Sequence, residues 1–449
     1  FNLMSGDTYQ QSELPTAASS SDATTNELPV AASSSNATSN EDKPNSWKQW
    51  IFTQHVDFYS EADTRSTEEK LSSVCVFKSN QEHPGKRLRG RRVLVKVLAA
   101  AVNPVDWKVI GGVLAMVQPN PPLAIGFDVA GVVVAKGPGC RRLKVGDSVW
   151  SKTHVSTTGT FAEYIVLEED HATVKPSNLT FVEAATVPLV GLTGYQSLRE
   201  AGGLRETRDN SERKVLVLGG AGGAGSIGVM LAKHCFGVGH VATTASERNL
   251  DFVKDLGADQ VINYREENWW EVLANENYDV IYDCMGGIES WEQSHDVLSG
   301  ANGKFVTIAG DAPASMKLSA GTLIQIAGKI VGRKFMSLFP GNPGYSFVSC
   351  ECSARQLQAL RVFAEEGKIR PVVDKVFPLD QVIEALAYSK SGRATGKIAI
   401  VVDAKLAKEK EVDAQQIVEE FNTLTFGVVH ANDGSDDGSD DDANDGSDD

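Results

Sequence analysis

The chain of 449 residues has six cysteines, Cys75, Cys140, Cys235, Cys284, Cys350 and Cys352. Apart from Cys350-x-Cys352 they are scattered. That excludes a disulfide framework and a four-cysteine zinc lobe, and it points to free thiols in a reducing compartment. No apolar run approaches the roughly 18 residues that a membrane span requires. Basic charge is not in excess: the formal net charge is −16, and residues 433–449 hold nine aspartates with no Lys or Arg. The remainder is mildly acidic, so nothing favours a nucleic-acid surface. The eight histidines show no ligand spacing. His154 and His171 therefore read as surface or core residues. No signal-peptide pattern is present, so secretion is not expected, and the compartment reads as cytoplasmic or plastid.

Both ends read as disordered tails. Residues 13–26, ELPTAASSSDATTN, are repeated at 27–40 as ELPVAASSSNATSN. Such Ser-, Thr- and Ala-rich sequence offers little apolar surface to offset ordering entropy. The arm has several acidic residues against a single Lys43, which argues against a transit peptide. The closing run DGSDDGSDDDANDGSDD reads as solvated acid. Its spacing does not supply the glycine and glutamate of a calcium loop.

The middle of the chain carries the informative pattern. Residues 214–233 read KVLVLGGAGGAGSIGVMLAK. An apolar strand leads into Gly219, Gly220, Gly222, Gly223, Ala224 and Gly225, and then into a helical run. Gly220-x-Gly222-x-x-Gly225 fits the dinucleotide fingerprint, in which backbone amides and a helix N-terminus receive a pyrophosphate. Before it, residues 47–56, 73–78, 92–102, 128–135, 148–150 and 161–167 give short strand signals separated by Gly turns. After it, strands and helices alternate as in a doubly wound parallel sheet. Residues 181–198 read as one helix, and 404–422 as a polar, loosely docked one. The fold class is α/β, in four segments. These are an arm over 1–46, a β-rich lobe over 47–180 completed by 343–403, a nucleotide lobe over 181–342, and a polar helix with an acidic tail over 404–449.

The second strand of the nucleotide lobe ends at Thr244, Ser246 and Arg248. NAD-binding proteins usually place a carboxylate there for the ribose 2′-hydroxyl. Hydroxyls and a guanidinium suit a 2′-phosphate instead, so NADPH is expected. Asp283-Cys284-Met285-Gly286-Gly287 and Ile308-Ala309-Gly310 end later strands. Ligands sit outside such strand ends, so Cys284, Gly286 and Ala309 are expected beside the nicotinamide ribose.

These features resemble the quinone oxidoreductase branch of the medium-chain dehydrogenase/reductase superfamily. The resemblance covers about residues 47–402. It rests on Ala101-Val102-Asn103-Pro104-Val105-Asp106-Trp107-Lys108, Gly126-Phe127-Asp128-Val129-Ala130-Gly131 and Val145-Gly146-Asp147. It continues through Gly159-Thr160-Phe161-Ala162-Glu163-Tyr164, residues 188–195 (PLVGLTGY), the Gly loop and Gly392-Arg393-Ala394-Thr395-Gly396-Lys397. It implies a GroES-like catalytic lobe, a Rossmann lobe and a homodimer. It places Asn103, Lys108 and Thr193 near the nicotinamide. Thr244, Ser246, Arg248 and Tyr264 fall at the 2′-phosphate, and the Phe347-Val348 backbone at the carboxamide. Lys397 is assigned to the cofactor site. Zinc-dependent relatives place a Cys near Val102 and Asn103, and Gly-His-Glu where this chain has Gly126-Phe127-Asp128. Both ligand types are missing, and so is a four-cysteine lobe, so neither a catalytic nor a structural zinc is expected.

The chemistry these features imply is hydride donation to an activated acceptor, an α,β-unsaturated carbonyl or a quinone. Lys108 and Asn103 would supply or organise donors for the developing oxyanion. Two alternatives remain: a catalytically quiet NADPH-binding interaction protein, and an enoyl-thioester reductase.

Overall fold

The computed structural model describes residues 46–426 apart from 59, 61, 83–87, 114, 116–118, 155–158 and 311–319. The repeat-bearing arm and the acidic tail, expected to be disordered, lie outside the described residues.

Sixteen strands form three sheets among the described residues. In chain order they begin with β1 (Ser46–Phe52), β2 (Cys75–Glu82), β3 (Arg92–Val102) and β4 (Leu123–Ala124). Next come β5 (Asp128–Lys136), β6 (Ser148–Lys152), β7 (Tyr164–Glu168) and β8 (Ala172–Val174). The nucleotide lobe contributes β9 (Lys214–Leu218), β10 (His240–Ala245), β11 (Gln260–Asn263), β12 (Val280–Asp283), β13 (Lys304–Thr307) and β14 (Gly344–Phe347). The last two are β15 (Val373–Pro378) and β16 (Lys397–Val401).

The catalytic lobe is organised around β3, which pairs antiparallel with β5, β7 and β16. Side chains alternate across a strand. Val93, Val95 and Val97 accordingly pack with Val129, Val133 and Ile165. Leu94 and Leu98 enter a different cluster with Trp150 and Phe181. Burial on both faces explains why β3 reads as a nearly continuous apolar run rather than an alternating one. The C-terminal return is real: β16 lies directly against β3, with Ile398 opposite Val102.

The second large sheet is parallel throughout, in the order β11-β10-β9-β12-β13-β14. The chain moves outward from β9 to β11, then restarts at β12 on the other side of β9. That reversal is the topological switch point where open α/β sheets bind ligands, and the Gly loop leaves β9 there.

Four segments differ from expectation. The crossing back to the catalytic lobe was placed at 342/343, but β14 pairs parallel with β13. Buried Tyr345 stacks on Phe305 with centroids 6.0 Å apart and meets the Trp291 ring at 5.1 Å. The return therefore begins beyond Phe347. The single helix over 181–198 is broken into Phe181–Ala185 and Pro188–Tyr195. Pro188 has no N–H to continue a helix and instead starts the second one. The first piece packs on β3 and β5, so the catalytic lobe extends past residue 180. The C-terminal helix is Ala414–Phe426 and is firmly docked. Ile417 and Phe421 are buried, and the Phe421 ring lies 5.9 Å from Tyr164. A helix over Ala320–Met336, which the sequence reading did not identify, precedes β14 and leaves Val331, Phe335 and Met336 exposed.

Because Phe421 is 1% exposed, Phe421→Ala should cost about 3–4 kcal/mol, read as a shift in the urea midpoint at unchanged slope. A loss under about 0.5 kcal/mol would mean that the helix does not dock as described.

Candidate active site

A buried polar cluster of the catalytic lobe lies against the Gly loop. Asp128 begins β5, Asn103 precedes the helix Pro104–Ile110, and Lys397 begins β16. All three are at most 5% exposed. Lys397 Nζ donates to Asn103 Oδ1 at 2.5 Å and to the Val102 carbonyl at 3.2 Å. It stands 3.6 Å from Asp128 Oδ2. Asn103 Nδ2 donates to the same carboxylate oxygen at 2.8 Å. The Leu189 N–H donates to Asp128 Oδ1 at 2.7 Å. Leu189 is in the first turn of the helix Pro188–Tyr195, whose dipole favours a negative charge there. Burial pushes the Asp128 carboxyl up and the Lys397 ammonium down, each toward its neutral form, while their mutual attraction opposes both. Asp106 completes the group. Its Oδ2 accepts the Asn103 N–H at 2.6 Å, and its Oδ1 has no hydrogen-bond partner among the described residues. Burial is the main cause that raises this carboxyl to about 8.

This geometry revises two expected roles. Both protons of the Asn103 amide are engaged, by Asp128 and by the Ala101 carbonyl. Asn103 is thus not a free donor but holds Asp128 and Lys397 together. The Lys397 ammonium turns into the catalytic lobe, and its carbon stem lies against the Gly loop. A Cβ on Gly223 would come 2.8 Å from Lys397 Cδ. The preceding Gly396 N–H donates to the Ala221 carbonyl at 3.0 Å.

The Gly loop folds as its fingerprint requires. A Cβ on Gly225 would fall 2.1 Å from the Gly219 carbonyl, so only glycine lets the helix start this close to β9. Gly222 caps the helix Gly223–Met230. Among the described residues no backbone group outside the helix takes the N–H of Ala224 or Gly225, which leaves two aligned amides at a helix N-terminus, while Gly222 and Gly396 form a parallel bridge in which the Gly223 N–H faces the Gly396 carbonyl. Thr244 lies beneath the loop. Its Oγ1 accepts the Gly219 N–H at 2.9 Å, and its carbonyl accepts the Gly220 N–H at 3.0 Å. Thr244 thus shapes the loop from below.

At the end of β10, Ser246 is nearly buried and Arg248 is exposed, with its Nη2 donating to the Arg393 carbonyl at 3.1 Å. Glu247 is held by Asn263 Nδ2 at 2.9 Å. Tyr264, just past β11, is 55% exposed. The rim therefore gathers Ser246, Arg248 and Tyr264 with Arg393, a residue the sequence reading quoted only within a motif.

The turns after β12 and β13 are locked to each other. Asp283 Oδ1 accepts the Met285 and Gly286 amides at 3.0 and 2.9 Å. Its Oδ2 accepts the Thr307 hydroxyl at 2.8 Å, and Thr307 Oγ1 in turn accepts the Gly310 N–H at 3.1 Å. Neither Asp283 nor Thr307 was singled out as a positioning residue. Cys284 and Ala309 sit within these turns. The Val348 N–H is taken by the Thr307 carbonyl at 2.9 Å, so it is not free for a carboxamide. The exposed Phe347 ring lies against Gly310. Thr193 Oγ1 donates to the Leu189 carbonyl at 2.7 Å and is nearly buried. Lys108 is half-buried, with its Nζ 5.7 Å from the Trp107 ring centroid. Among the described residues its ammonium has no hydrogen-bond or carboxylate partner, and burial lowers its pKa.

A lobe closed by its own C-terminal strand, joined to a parallel sheet with a Gly loop at the switch point, defines a two-lobe nucleotide-dependent oxidoreductase. The chain belongs to the quinone oxidoreductase branch of the medium-chain dehydrogenase/reductase superfamily. Residues 89–177 match the alcohol dehydrogenase GroES-like domain, and residues 256–400 match the zinc-binding dehydrogenase family. The chain is 33% identical to the 2-methylene-furan-3-one reductase of Solanum lycopersicum over 365 residues, covering 80% of this chain and 79% of that protein. It is 31% identical to the chloroplastic NADPH-dependent alkenal/one oxidoreductase of Arabidopsis thaliana, covering 80% of each. The quinone oxidoreductase structure from Coxiella burnetii superposes with a TM-score of 0.62 at 27% identity, over 80% of this chain and 99% of that one.

The zinc in the second family's name does not fit the catalytic position here. Asn103, Phe127 and Asp128 stand where the resemblance places zinc ligands. The oxygens of Asn103 and Asp128 already face the Lys397 ammonium, and Phe127 offers no ligand atom. One cation is already built into the chain at that point.

Two outcomes test the cluster. Lys397→Met leaves Asp128 buried without its ammonium and should cost about 3–5 kcal/mol at neutral pH. Adding Asp128→Asn should recover part of that loss in denaturant melts. Asp106 has a folded pKa raised to about 8, above the roughly 3.9 of an unfolded chain. Its stabilising contribution is complete at low pH and is lost as pH rises through 8. Asp106→Asn should therefore flatten the fall in stability between about pH 4 and 8, measured as melts across that range.

Proposed function

We propose that the protein is an NADPH-dependent, metal-free reductase of α,β-unsaturated carbonyls or quinones. The observation that carries this reading is the conjunction of two helix-start amides, open among the described residues, with a hydroxyl- and guanidinium-bearing rim at the end of β10. The amides of Ala224 and Gly225 suit a pyrophosphate. Ser246, Arg248 and Arg393 suit a 2′-phosphate, and the exposed ring of Tyr264 suits the adenine. Glu247, the one carboxylate that would repel a 2′-phosphate, is drawn aside by Asn263. Bound there, NADPH supplies hydride to the electrophilic carbon of the acceptor, and solvent supplies the proton that completes the reduction.

The chain's own contribution is orientation and charge. The turns locked by Asp283 and Thr307 flank the nicotinamide ribose, and the Phe347 ring limits the space beside it. Lys108 is the donor for the developing oxyanion, because its ammonium is partly desolvated and has no hydrogen-bond or carboxylate partner among the described residues. Asn103 and Lys397 position the helix that carries Lys108 rather than touching the acceptor. The named activities of the tomato and Arabidopsis relatives support the enone and alkenal reading, and the Coxiella neighbour supports the quinone. The chloroplastic designation of the Arabidopsis relative favours a plastid location, and the family resemblance favours a homodimer. No described helix is long and apolar enough to cross a membrane.

Loss of NADPH absorbance with a short 2-alkenal and with a simple quinone tests the activity directly. A protein that binds NADPH and turns over neither acceptor sinks the reductase reading and leaves the quiet binding protein. Arg248→Ala should raise KM for NADPH about 10–100-fold, the value of a charge-assisted hydrogen bond, and leave KM for NADH unchanged. Lys108→Met should lower kcat about 100-fold with little change in the KM for NADPH. An unchanged kcat would remove Lys108 from the mechanism.

A further inference from the structure

Away from the Lys397 cluster, the fold brings together three residues that are far apart in sequence. His154 follows β6, His171 lies in the turn before β8, and Cys352 lies in the segment leading from β14 to the helix Ala354–Glu365. One ligand atom from each falls within 4.8 Å of the others. The two imidazole rings meet edge to face with centroids 4.8 Å apart. The sequence reading treated His154 and His171 as unrelated, because no spacing links them.

We propose that His154, His171 and Cys352 form a binding site for a borderline-soft divalent cation such as Zn2+, with a fourth position open to solvent. The donor set is one thiolate and two imidazoles, which selects Zn2+ or Co2+ over Mg2+ or Ca2+. Tetrahedral bonds of about 2.0–2.3 Å place ligand atoms about 3.5 Å apart, so the cluster needs a contraction of about 1 Å to close. His154 is exposed and can supply that movement.

The Lys152 ammonium lies beside Cys352. Lys152 Nζ is itself tied to the Cys350 carbonyl at 2.8 Å. On binding, the Cys352 S–H bond breaks, its electron pair goes to the metal and its proton to solvent. No redox change is involved. The site would clamp the segment that leaves β14 onto β6 and β8, and so tie the nucleotide sheet to the catalytic lobe. It uses none of the residues at the zinc-ligand positions of the family.

The test is titration of the full chain with Co2+ alone, followed by absorption spectroscopy. One equivalent should produce a thiolate-to-cobalt charge-transfer band together with the visible bands of a four-coordinate ion. Cys352→Ser should abolish the charge-transfer band, and His171→Gln should weaken binding at least about tenfold. Cys350→Ser should leave the spectrum in place. In parallel, Zn2+ should raise the Tm of the parent chain and not that of Cys352→Ser, with circular dichroism confirming that each variant is folded. No one-to-one binding, a band that survives Cys352→Ser, or a band lost in Cys350→Ser instead would overturn the proposal. None of these readouts requires reductase activity, so the outcome is independent of the proposed reaction.

Discussion

A buried ammonium holds this molecule in its working shape. Lys397 reaches from the last strand of the catalytic sheet, past the Gly loop of the nucleotide sheet, to Asn103 and Asp128. Burying three polar side chains is expensive unless every one of them is satisfied. Here the Leu189 amide, the Val102 carbonyl and the Asn103 amide share out the remaining valences. The cost of misalignment is therefore high, and the two lobes meet in one register. The Gly loop and the helix that carries Lys108 are both fixed by contact with this group.

The nucleotide lobe divides its backbone amides into two sets. At the ends of β12 and β13, Asp283 and Thr307 turn amides inward, so that the loops are rigid without a ligand. At the start of the helix Gly223–Met230 the Ala224 and Gly225 amides stay open among the described residues. Satisfied amides set shape and unsatisfied ones attract an anion, and the division follows from where a carboxylate or hydroxyl side chain is available. Thr244 belongs to the first set, although its position at a strand end reads as part of the second.

Local order made part of this legible in the sequence. Strand, glycines and helix follow one another at 214–233, so the parallel sheet and its phosphate loop could be read directly. The catalytic lobe and its C-terminal return followed from several motifs in register. What was not legible depends on meetings between distant residues. Asn103, Asp128 and Lys397 each occupy a separate motif, and no periodicity says that they converge. The short β14 has few residues to declare itself, and it is identified only by its partner β13 and by Tyr345 packing on Phe305. The helix Ala320–Met336 is amphipathic, but Gly328 and Gly332 in its interior lower its helix propensity.

The closure of the catalytic sheet by β16 also imposes an order of assembly. Lys397 and Asn103 are 294 residues apart in sequence. The central strand β3 lacks one neighbour, and Asp128 lacks its counter-charge, until the chain has been synthesised through Val401. Every strand of the parallel sheet is available before that, from β9 through β14. On the ribosome the phosphate loop can thus form against its own sheet while the catalytic lobe is still an open, unpaired edge. The parallel sheet is complete first, and the catalytic sheet is closed by the last described strand to emerge.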